Sequence, residues 1–233
     1  MSSPNKIPVL TVDGPGGSGK GTICALLSHE LGWHLLDSGA LYRLVAHGAK
    51  QKAIDFNDQQ ALADYALNLP VVFELLPGTS EVRVLLDGID VGNAIRTEQA
   101  GNAASIVAAI GSVREALLQR QRNFRQFPGL VADGRDMGTT VFPDASLKIF
   151  LTASAEERAR RRYKQLIEKG NNVNLRDLVA EITERDERDM QRSVSPLRPA
   201  DDAVILDTSS MNIQEVFQHV LQLSHRYFVH SSS

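Results

Sequence analysis

A glycine-rich segment near the start of the chain constrains the fold most strongly. It reads Asp13-Gly14-Pro15-Gly16-Gly17-Ser18-Gly19-Lys20-Gly21-Thr22 and joins a short β-branched run to an amphipathic stretch with helical periodicity. Glycine at five of these positions lets the backbone curl so that successive N–H groups point inward. The N-terminus of the next helix adds partial positive charge. The segment therefore predicts a phosphate-binding loop in which Lys20 contacts the outer phosphates.

One position departs from the commonest form of this loop. The spacing fits G-x-x-x-x-G-K, but Gly21 stands where Ser or Thr usually follows, so Thr22 is the expected hydroxyl contact of magnesium. A chance glycine-rich turn is the alternative, and the strand before and the helix after make it the weaker one. The predicted nucleotide-binding residues are Gly14, Pro15, Gly16, Gly17, Ser18, Gly19, Lys20, Gly21 and Thr22.

Length, charge and cysteine content exclude several classes of protein. The 233 residues suffice for one substantial α/β core with small appendages. The 25 basic and 28 acidic residues give a net charge of -3, without the basic field of a general nucleic-acid binder. A single cysteine, Cys24, excludes an internal disulfide and fits a reducing compartment as a small core residue. Met1–Lys6 lack a signal-peptide core, and no apolar run approaches the roughly 20 residues that span a bilayer. We expect a soluble, cytoplasmic monomer without nucleic-acid or membrane partners.

Five short apolar runs predict buried strands of a parallel sheet, with helical stretches between them. Four of them lead into an aspartate: Asp13, Asp37, Asp133 and Asp207. Because ligands bind beyond the carboxyl ends of strands in open α/β sheets, several of these carboxylates are expected to face one site. Asp207 precedes Thr208-Ser209-Ser210, so we expect it to cap a turn instead. The predicted strands are Ile7–Val12, His34–Leu36, Leu130–Ala132, Leu147–Leu151 and Val204–Leu206.

A long insertion separates the second and third of these strands. Its alternating pattern predicts antiparallel strands at Val71–Leu76 and Val82–Leu86 and a short one at Ile89–Val91, with turns at Pro77-Gly78 and Asp87-Gly88. A single helix is then predicted from Ala103 to Phe127. We expect this β insert to form a small mobile subdomain over the crevice.

Two further helices are predicted after the fourth core strand. Ser154 is expected to cap an arginine-rich helix that runs to Gly170, and a second helix begins near Asn174. The predicted organisation is one domain with three parts. They are a core of about 1–37, 113–152 and 173–233, a monophosphate-binding region with the β insert of about 38–112, and a short lid of about 153–172.

Charged residues follow the second and third core strands. Asp37-Ser38-Gly39-Ala40-Leu41-Tyr42-Arg43 enters a helix, and Arg43 could fork onto a phosphate, although a plain cap and a surface arginine would look the same. Ala132-Asp133-Gly134-Arg135-Asp136-Met137-Gly138 brings two carboxylates and an arginine to a strand end, and Asp133 is the second candidate magnesium ligand beside Thr22. Asp13 and Asp37 also stay open as magnesium ligands. Positioned cations of this kind suit the transfer of a phosphoryl group.

These two blocks, the glycine-rich loop and Glu184-Arg185-Asp186-Glu187-Arg188-Asp189 together resemble bacterial cytidylate kinases, within the nucleoside monophosphate kinases, over nearly the whole chain. The resemblance implies a P-loop NTPase fold of the adenylate-kinase type: an α/β core with a five-stranded parallel sheet, a small antiparallel β insert and a helical lid. It also implies that ATP phosphorylates CMP or dCMP with Mg2+.

The resemblance also implies an acceptor site, carried over by matched position. Its residues are Ser38, Arg43, Arg96, Ser105, Arg114, Arg135, Asp136, Arg185, Asp189 and Arg192. Asp136 and Ser105 suit the exocyclic amine of cytosine, and Arg114 suits its ring acceptors. Arg185 and Asp189 are assigned to the sugar region and Arg192 to phosphate. Without the resemblance, their spacing at i, i+4 and i+7 would favour an exposed ion-pair ladder.

The lid is expected to supply further cations. Arg158 and Arg162 lie one turn apart and are expected to approach the donor when the lid closes, while Arg160 and Arg161 are expected to be solvated. The predicted catalytic residues are Lys20, Arg135, Arg158 and Arg162. Two alternatives remain open: a monophosphate kinase with another base preference, and a nucleotide-dependent switch that phosphorylates nothing. The absence of an N-K-x-D element after the fourth strand disfavours the switch.

Overall fold

A computed structural model describes residues 7–75, 82–168, 170 and 172–229. The strands, in chain order, are β1 (Val9–Asp13), β2 (His34–Asp37), β3 (Val71–Leu75), β4 (Val82–Leu86), β5 (Ile89–Asp90), β6 (Leu130–Gly134), β7 (Leu147–Thr152) and β8 (Val204–Asp207). The helices are α1 (Lys20–Leu31), α2 (Ser38–Gln51), α3 (Gln59–Leu67), α4 (Glu98–Val107), α5 (Gly111–Arg122), α6 (Ala155–Glu168), α7 (Leu175–Gln191) and α8 (Ile213–Val229). The residues separate into two units, one within Met1–Asp37 and Gln121–Ser233 and one within Ser38–Arg120.

A parallel sheet of five strands forms the centre of the first unit. Its order is β2-β6-β1-β7-β8, and each neighbouring pair is parallel. All five residues of the central strand β1 are buried, as expected of a strand covered by helices on both faces. The five predicted core strands and the predicted fold class are confirmed, with boundaries moved by one or two residues.

The register brings the ends of the core strands to one edge. Asp37 of β2 pairs with Asp133 of β6, and Asp13 of β1 pairs with Gly134. Asp207 ends β8 beside Thr152. Its Oδ1 accepts hydrogen bonds from the amide of Ser209 at 2.9 Å and from the Ser209 hydroxyl at 2.6 Å. Asp207 therefore caps its own turn, as predicted.

The hydrophobic core lies between this sheet and the helices α1 and α8. Leu10 of β1 and Ile149 of β7 meet Leu27 of α1 and Val220 of α8 in one buried cluster. Cys24 belongs to the same cluster with no exposed surface, which confirms that it is a core residue. The cluster holds the strand before the glycine-rich loop and the helix after it in one rigid body.

The second unit contains an antiparallel sheet in the order β3-β4-β5. Val71 pairs with Leu86 across β3 and β4, and Leu86 pairs with Ile89 across β4 and β5. The two-residue turn Asp87-Gly88 has φ values of 51° and 79°, a hairpin geometry that Asp-Gly favours. The predicted turn at Pro77-Gly78 lies outside the described residues.

The helix predicted from Ala103 to Phe127 is wrong as a single element. Thr97 caps α4, its side chain accepting from the amide of Ala100 at 3.1 Å, so the helix begins earlier at Glu98. The chain then leaves the helix after Val107 and starts α5 at Gly111. Nη1 of Arg114 donates to the carbonyl of Ala108 at 3.2 Å, which satisfies a backbone group at the break.

The two helices after β7 begin where the sequence predicts. The hydroxyl of Ser154 accepts from the amide of Glu157 at 3.2 Å and so caps α6. The side chain of Asn174 accepts from the amide of Arg176 at 2.8 Å and caps α7. Among the described residues, none of the helices is both long enough and apolar enough to span a membrane.

The core cluster yields a stability prediction. Leu10→Ala should lower the free energy of unfolding by about 2–5 kcal/mol, because Leu10 is fully buried and the truncation leaves a cavity. Ile205→Ala is the matched control, since Ile205 is 61% exposed and should change stability by less than about 0.5 kcal/mol. Urea unfolding followed by circular dichroism measures both values. Equal effects of the two variants would contradict this description of the core.

Candidate functional site

The glycine-rich loop connects β1 to α1 along the edge of the sheet. Gly19 adopts the left-handed conformation immediately before α1 begins at Lys20. Gly14 has a φ of 145°, and a Cβ there would lie 2.0 Å from the carbonyl oxygen of Leu151 in β7. Because Gly14 has no side chain, the loop can lie directly against the end of β7. The predicted turn between strand and helix is confirmed.

Lys20 lies inside the curl of this loop. Its ammonium donates to the carbonyl of Pro15 at 2.7 Å and contacts the hydroxyl of Ser18 at 3.4 Å, and the residue is only 5% exposed. Burial lowers the pKa of Lys20 to about 7, and the positive charge of Arg135 lowers it further, while Asp133 acts in the opposite direction. An anion in the loop would raise this pKa and restore the full charge of the ammonium.

Three arginines surround Gly16 at the middle of the loop. A Cβ on Gly16 would lie 3.4 Å from Nη2 of Arg135 and 3.4 Å from Nη1 of Arg185. Nη1 of Arg158 donates to the carbonyl of Gly16 at 2.9 Å. With Lys20, the loop is therefore bordered by four cations from four different segments. So much positive charge at a half-buried surface favours a polyanionic ligand.

Carboxylates of α7 hold two of these arginines. Oδ2 of Asp189 accepts from Nε of Arg135 at 3.1 Å, and Asp186 accepts from Nη2 of Arg158. Both carboxylates are largely buried, so the pairs are shielded from water. Asp186 is not among the predicted site residues, although it lies within the block that carries the family resemblance.

The predicted face of α7 is mostly buried. Asp189 is 4% and Arg192 is 8% exposed, and Nη2 of Arg192 lies 3.6 Å from Oδ1 of the equally buried Asp136. The exposed ion-pair ladder that spacing alone would favour is formed by Arg188 and Glu184 instead, at 2.8 Å. The structure thus brings Arg135, Asp136, Arg185, Asp189 and Arg192 together in the first unit.

The other acceptor-site candidates belong to the second unit. Ser38 begins α2 and Ser105 lies in α4, and both side chains are buried. Nη1 of Arg43 donates to the carbonyl of Ile95 at 2.9 Å, whereas Arg96 is exposed.

Arg114 is the most restrained of these second-unit candidates. It is 7% exposed, and its guanidinium carbon lies 5.6 Å from the centre of the Tyr42 ring. Tyr42 therefore helps to fix Arg114 through a cation–π contact. Tyr42 is not among the predicted site residues, because nothing in the local pattern links it to an arginine 72 positions later.

The arginines of α6 differ from each other in their contacts. Arg158 is buried and donates to Ala153, Gly16 and Asp186, so it already lies against the glycine-rich loop. Nη1 of Arg162 donates to Gln165 on its own helix at 3.3 Å. The expectation that Arg161 is solvated is wrong, because it contacts Glu157, the carbonyl of Thr208 and the carbonyl of Met211. Arg160 is largely exposed, as predicted.

The carboxylates at the strand ends differ in whether they could bind magnesium. Oδ2 of Asp133 would lie 3.5 Å from a Cβ built on Gly21, beside the first turn of α1 that presents the exposed Thr22. Both oxygens of Asp13 accept backbone hydrogen bonds, from Met137 and Gly138, so Asp13 does not fit this role. Within the described ranges, no group of three or more His, Cys, Asp or Glu residues could hold a metal. Asp133 and Thr22 therefore fit an ion that keeps waters and phosphate oxygens as most of its ligands.

Comparisons with known proteins show which family the sequence matches. The family model described as Cytidylate kinase matches residues 10–226. A protein named cytidylate kinase from Aeromonas salmonicida (strain A449) is 57% identical over 218 residues, covering 94% of each chain. Relatives of the same name from Pseudomonas aeruginosa (strain UCBPP-PA14) and Stutzerimonas stutzeri (strain A1501) are 57% and 58% identical, covering 93% and 92% of this chain and 94% of their own.

The burial of Lys20 yields a prediction about stability and pH. Lys20→Met should make the ligand-free protein more stable at pH 7 by about 1–3 kcal/mol, because the parent on folding must either bury the ammonium or release its proton, and the variant does neither. Between pH 7 and 10 the folded parent releases this proton while the unfolded chain keeps it, so the parent gains stability and the difference shrinks. Urea unfolding at both pH values measures the effect.

Lys148→Met is the matched control for this experiment. Lys148 is also buried, but its ammonium donates to Asp202 at 2.9 Å and to the carbonyl of Pro143 at 2.7 Å. Its loss should destabilise the protein at pH 7. A Lys20→Met variant that is less stable than the parent at pH 7 would refute the argument.

Proposed function

Because this chain belongs to the cytidylate kinase family, we propose that it transfers the γ-phosphoryl group of ATP to CMP or dCMP, giving ADP and CDP or dCDP. The match of residues 10–226 to the family model carries this proposal. A kinase of another base preference and a non-phosphorylating switch are both disfavoured by relatives that share more than half of their residues with this chain.

The donor side of the proposed site is the glycine-rich loop. Its main-chain amides and the N-terminus of α1 bind the phosphates of ATP, with Lys20 toward the outer ones. Arg135 and Arg158 lie beside Gly16, where they would neutralise charge on the γ-phosphoryl oxygens during transfer. Arg162 completes this catalytic set from the next turn of α6, which we assign as the lid.

The acceptor residues are assigned by matched position with the family. Arg185 and Asp189 of α7, Arg192 directly after this helix, and Arg135 are assigned to the sugar and phosphate, as are Ser38, Arg43 and Arg96. Asp136 and Ser105 accept from the exocyclic amine of cytosine, while Arg114 donates to its ring acceptors. Tyr42 and the carbonyl of Ala108 restrict the rotamers of Arg114, which favours a single orientation of the base. We accordingly assign residues 38–112 as the monophosphate-binding region.

The acceptor itself needs little help from a general base. A phosphate monoester has a second pKa of about 6, so it is mostly a dianion at pH 7 and can attack directly. The protein's task is then to hold the two anions in line and exclude water. This fits a site built from arginines and main-chain amides.

Magnesium is the proposed cofactor, with Thr22 and Asp133 as the residues that would hold it. The ion, when bound, neutralises charge on the β- and γ-phosphate oxygens. Asp133 also lies close enough to Lys20 to raise its pKa, so the carboxylate supports the charge of the ammonium. A cytoplasmic location and a monomeric state stay predictions from the sequence.

A competition assay tests the proposed function. The protein should phosphorylate CMP and dCMP with ATP and Mg2+ far faster than UMP or AMP in a coupled assay of ADP release. Lys20→Met should reduce turnover at least about 100-fold without loss of fold, because the outer phosphates lose their cation. Nucleotide binding or hydrolysis by the purified protein without phosphorylation of any monophosphate would overturn the proposal and favour a switch.

Base selectivity yields a separate prediction at Asp136. Asp136→Asn should reduce the CMP-over-UMP preference about 10-fold or more, because an amide can offer a donor to the uracil oxygen that a carboxylate repels. Ratios of kcat/KM for the two acceptors measure this preference.

Asp189→Asn is the matched control for base selectivity. It removes an equally buried carboxylate that also pairs with an arginine, but one assigned to the sugar region. It should raise KM for CMP and leave the CMP/UMP ratio within about twofold. An unchanged ratio in Asp136→Asn, or an equal change in both variants, would contradict the assignment of Asp136 to the base.

A further inference from the structure

Asp13 makes two buried hydrogen bonds that the proposed reaction does not use. It ends β1 and is 4% exposed. Its Oδ1 accepts from the amide of Met137 at 2.8 Å, and its Oδ2 accepts from the amide of Gly138 at 2.8 Å. One carboxylate thus binds two consecutive backbone amides from a segment 124 and 125 positions away.

These two amides open a π-helical turn, Met137–Val141. Within the turn, the amides of Thr140 and Val141 donate to the carbonyl of Asp136, and the amide of Phe142 donates to the carbonyl of Met137. The first amides of any helix lack a carbonyl partner in their own helix. Asp13 therefore caps the turn from β1 by accepting hydrogen bonds from both of these amides.

The turn is also packed tightly onto β1. A Cβ on Gly138 would lie 3.0 Å from Oγ1 of Thr11, and a Cβ on Gly134 would lie 2.7 Å from Cγ of Met137. Both glycines permit a close approach that leaves little freedom to the residues between them. π-Helical turns are rare and frequently occur at functional sites.

Arg135 and Asp136 lie between Gly134 and the two amides that Asp13 binds. Asp136 directly precedes the two amides that Asp13 holds, and it pairs with Arg192. Arg135 directly precedes Asp136 and pairs with Asp189. Asp13 therefore anchors the backbone directly after both of these residues.

We propose that Asp13 is a positioning residue for acceptor recognition: by capping the Met137–Val141 turn, it holds Asp136 and Arg135 in the orientation that binds the monophosphate. This inference rests on the proposed function of Asp136 and Arg135. Asp13 itself touches neither nucleotide, since both of its oxygens are engaged by backbone amides.

The test compares Asp13→Asn with Asp207→Asn. An asparagine at 13 keeps the size of the side chain, but its NH2 group faces an amide N–H and can cap only one of the two donors. Asp207 also ends a core strand, but it caps only its own turn through Ser209. Asp207→Asn should therefore leave activity and selectivity unchanged.

Kinetics and hydrogen exchange separate positioning from a merely structural role. Asp13→Asn should raise KM for CMP about 10- to 100-fold and lower the CMP-over-UMP preference, while KM for ATP stays within about twofold. In the ligand-free protein, the amides of Met137 and Gly138 should exchange faster in Asp13→Asn and at the parent rate in Asp207→Asn. Asp13→Ala, which removes the buried carboxylate altogether, should give the same pattern.

Each outcome decides the question. Unchanged KM for CMP and unchanged selectivity would overturn the inference, as would equal increases of KM for CMP and ATP. If neither variant at position 13 folds, Asp13 serves folding, and the separate positioning role is refuted. If the parent protein phosphorylates no monophosphate, the proposed function fails, and the exchange rates of Met137 and Gly138 still test whether Asp13 holds the turn.

Discussion

The concentration of positive charge around the glycine-rich loop governs the rest of this site. Four cations lie beside the same short stretch of loop backbone: Lys20, Arg135, Arg158 and Arg185. Because these charges have the same sign and lie close together, they repel one another. Carboxylates of α7 offset part of this repulsion at Arg135 and Arg158. At the centre of the loop, burial lowers the pKa of Lys20 to about 7, and the charge of Arg135 lowers it further. A triphosphate carries several negative charges, so it would neutralise this positive charge far better than water does.

Helix α7 connects the two halves of the proposed reaction. Asp186 fixes Arg158, which holds the carbonyl of Gly16 in the loop assigned to the donor. One turn later, Asp189 fixes Arg135, which is assigned to both the γ-phosphoryl group and the acceptor. A displacement of α7 would therefore change both sides together. The two carboxylates lie on the same face of the helix because of its 3.6-residue period. One helix therefore positions the arginines that are assigned to the donor and to the acceptor.

How much of this could be predicted from the sequence depends on the range of the interactions. The five core strands, the glycine-rich loop and the caps at Ser154 and Asn174 depend on neighbouring residues, and local patterns predict them. At the break between α4 and α5, the Arg114 side chain donates to the carbonyl of Ala108, and Arg161 donates to the chain after β8. A helical pattern is the same whether or not such a tertiary contact exists. The roles in catalysis and binding stay proposals, since they depend on ligands as well as on this fold.

The four aspartates that end core strands show why position alone does not define chemistry. They share one sequence signature, yet burial raises the pKa of Asp13 to about 7 in spite of two backbone hydrogen bonds. Asp207 is exposed, and hydrogen bonds from the Ser209 side chain and amide lower its pKa. Asp133 faces the start of α1, and Asp37 lies beside it in register. The parallel sheet supplies a common edge, but the neighbour that each carboxylate meets decides whether it holds a backbone, caps a turn or faces a ligand. Ionising the buried Asp13 carboxyl is costly, but its two oxygens can accept from two backbone amides at once. A neutral side chain of the same size, such as asparagine, offers only one acceptor oxygen to these amides.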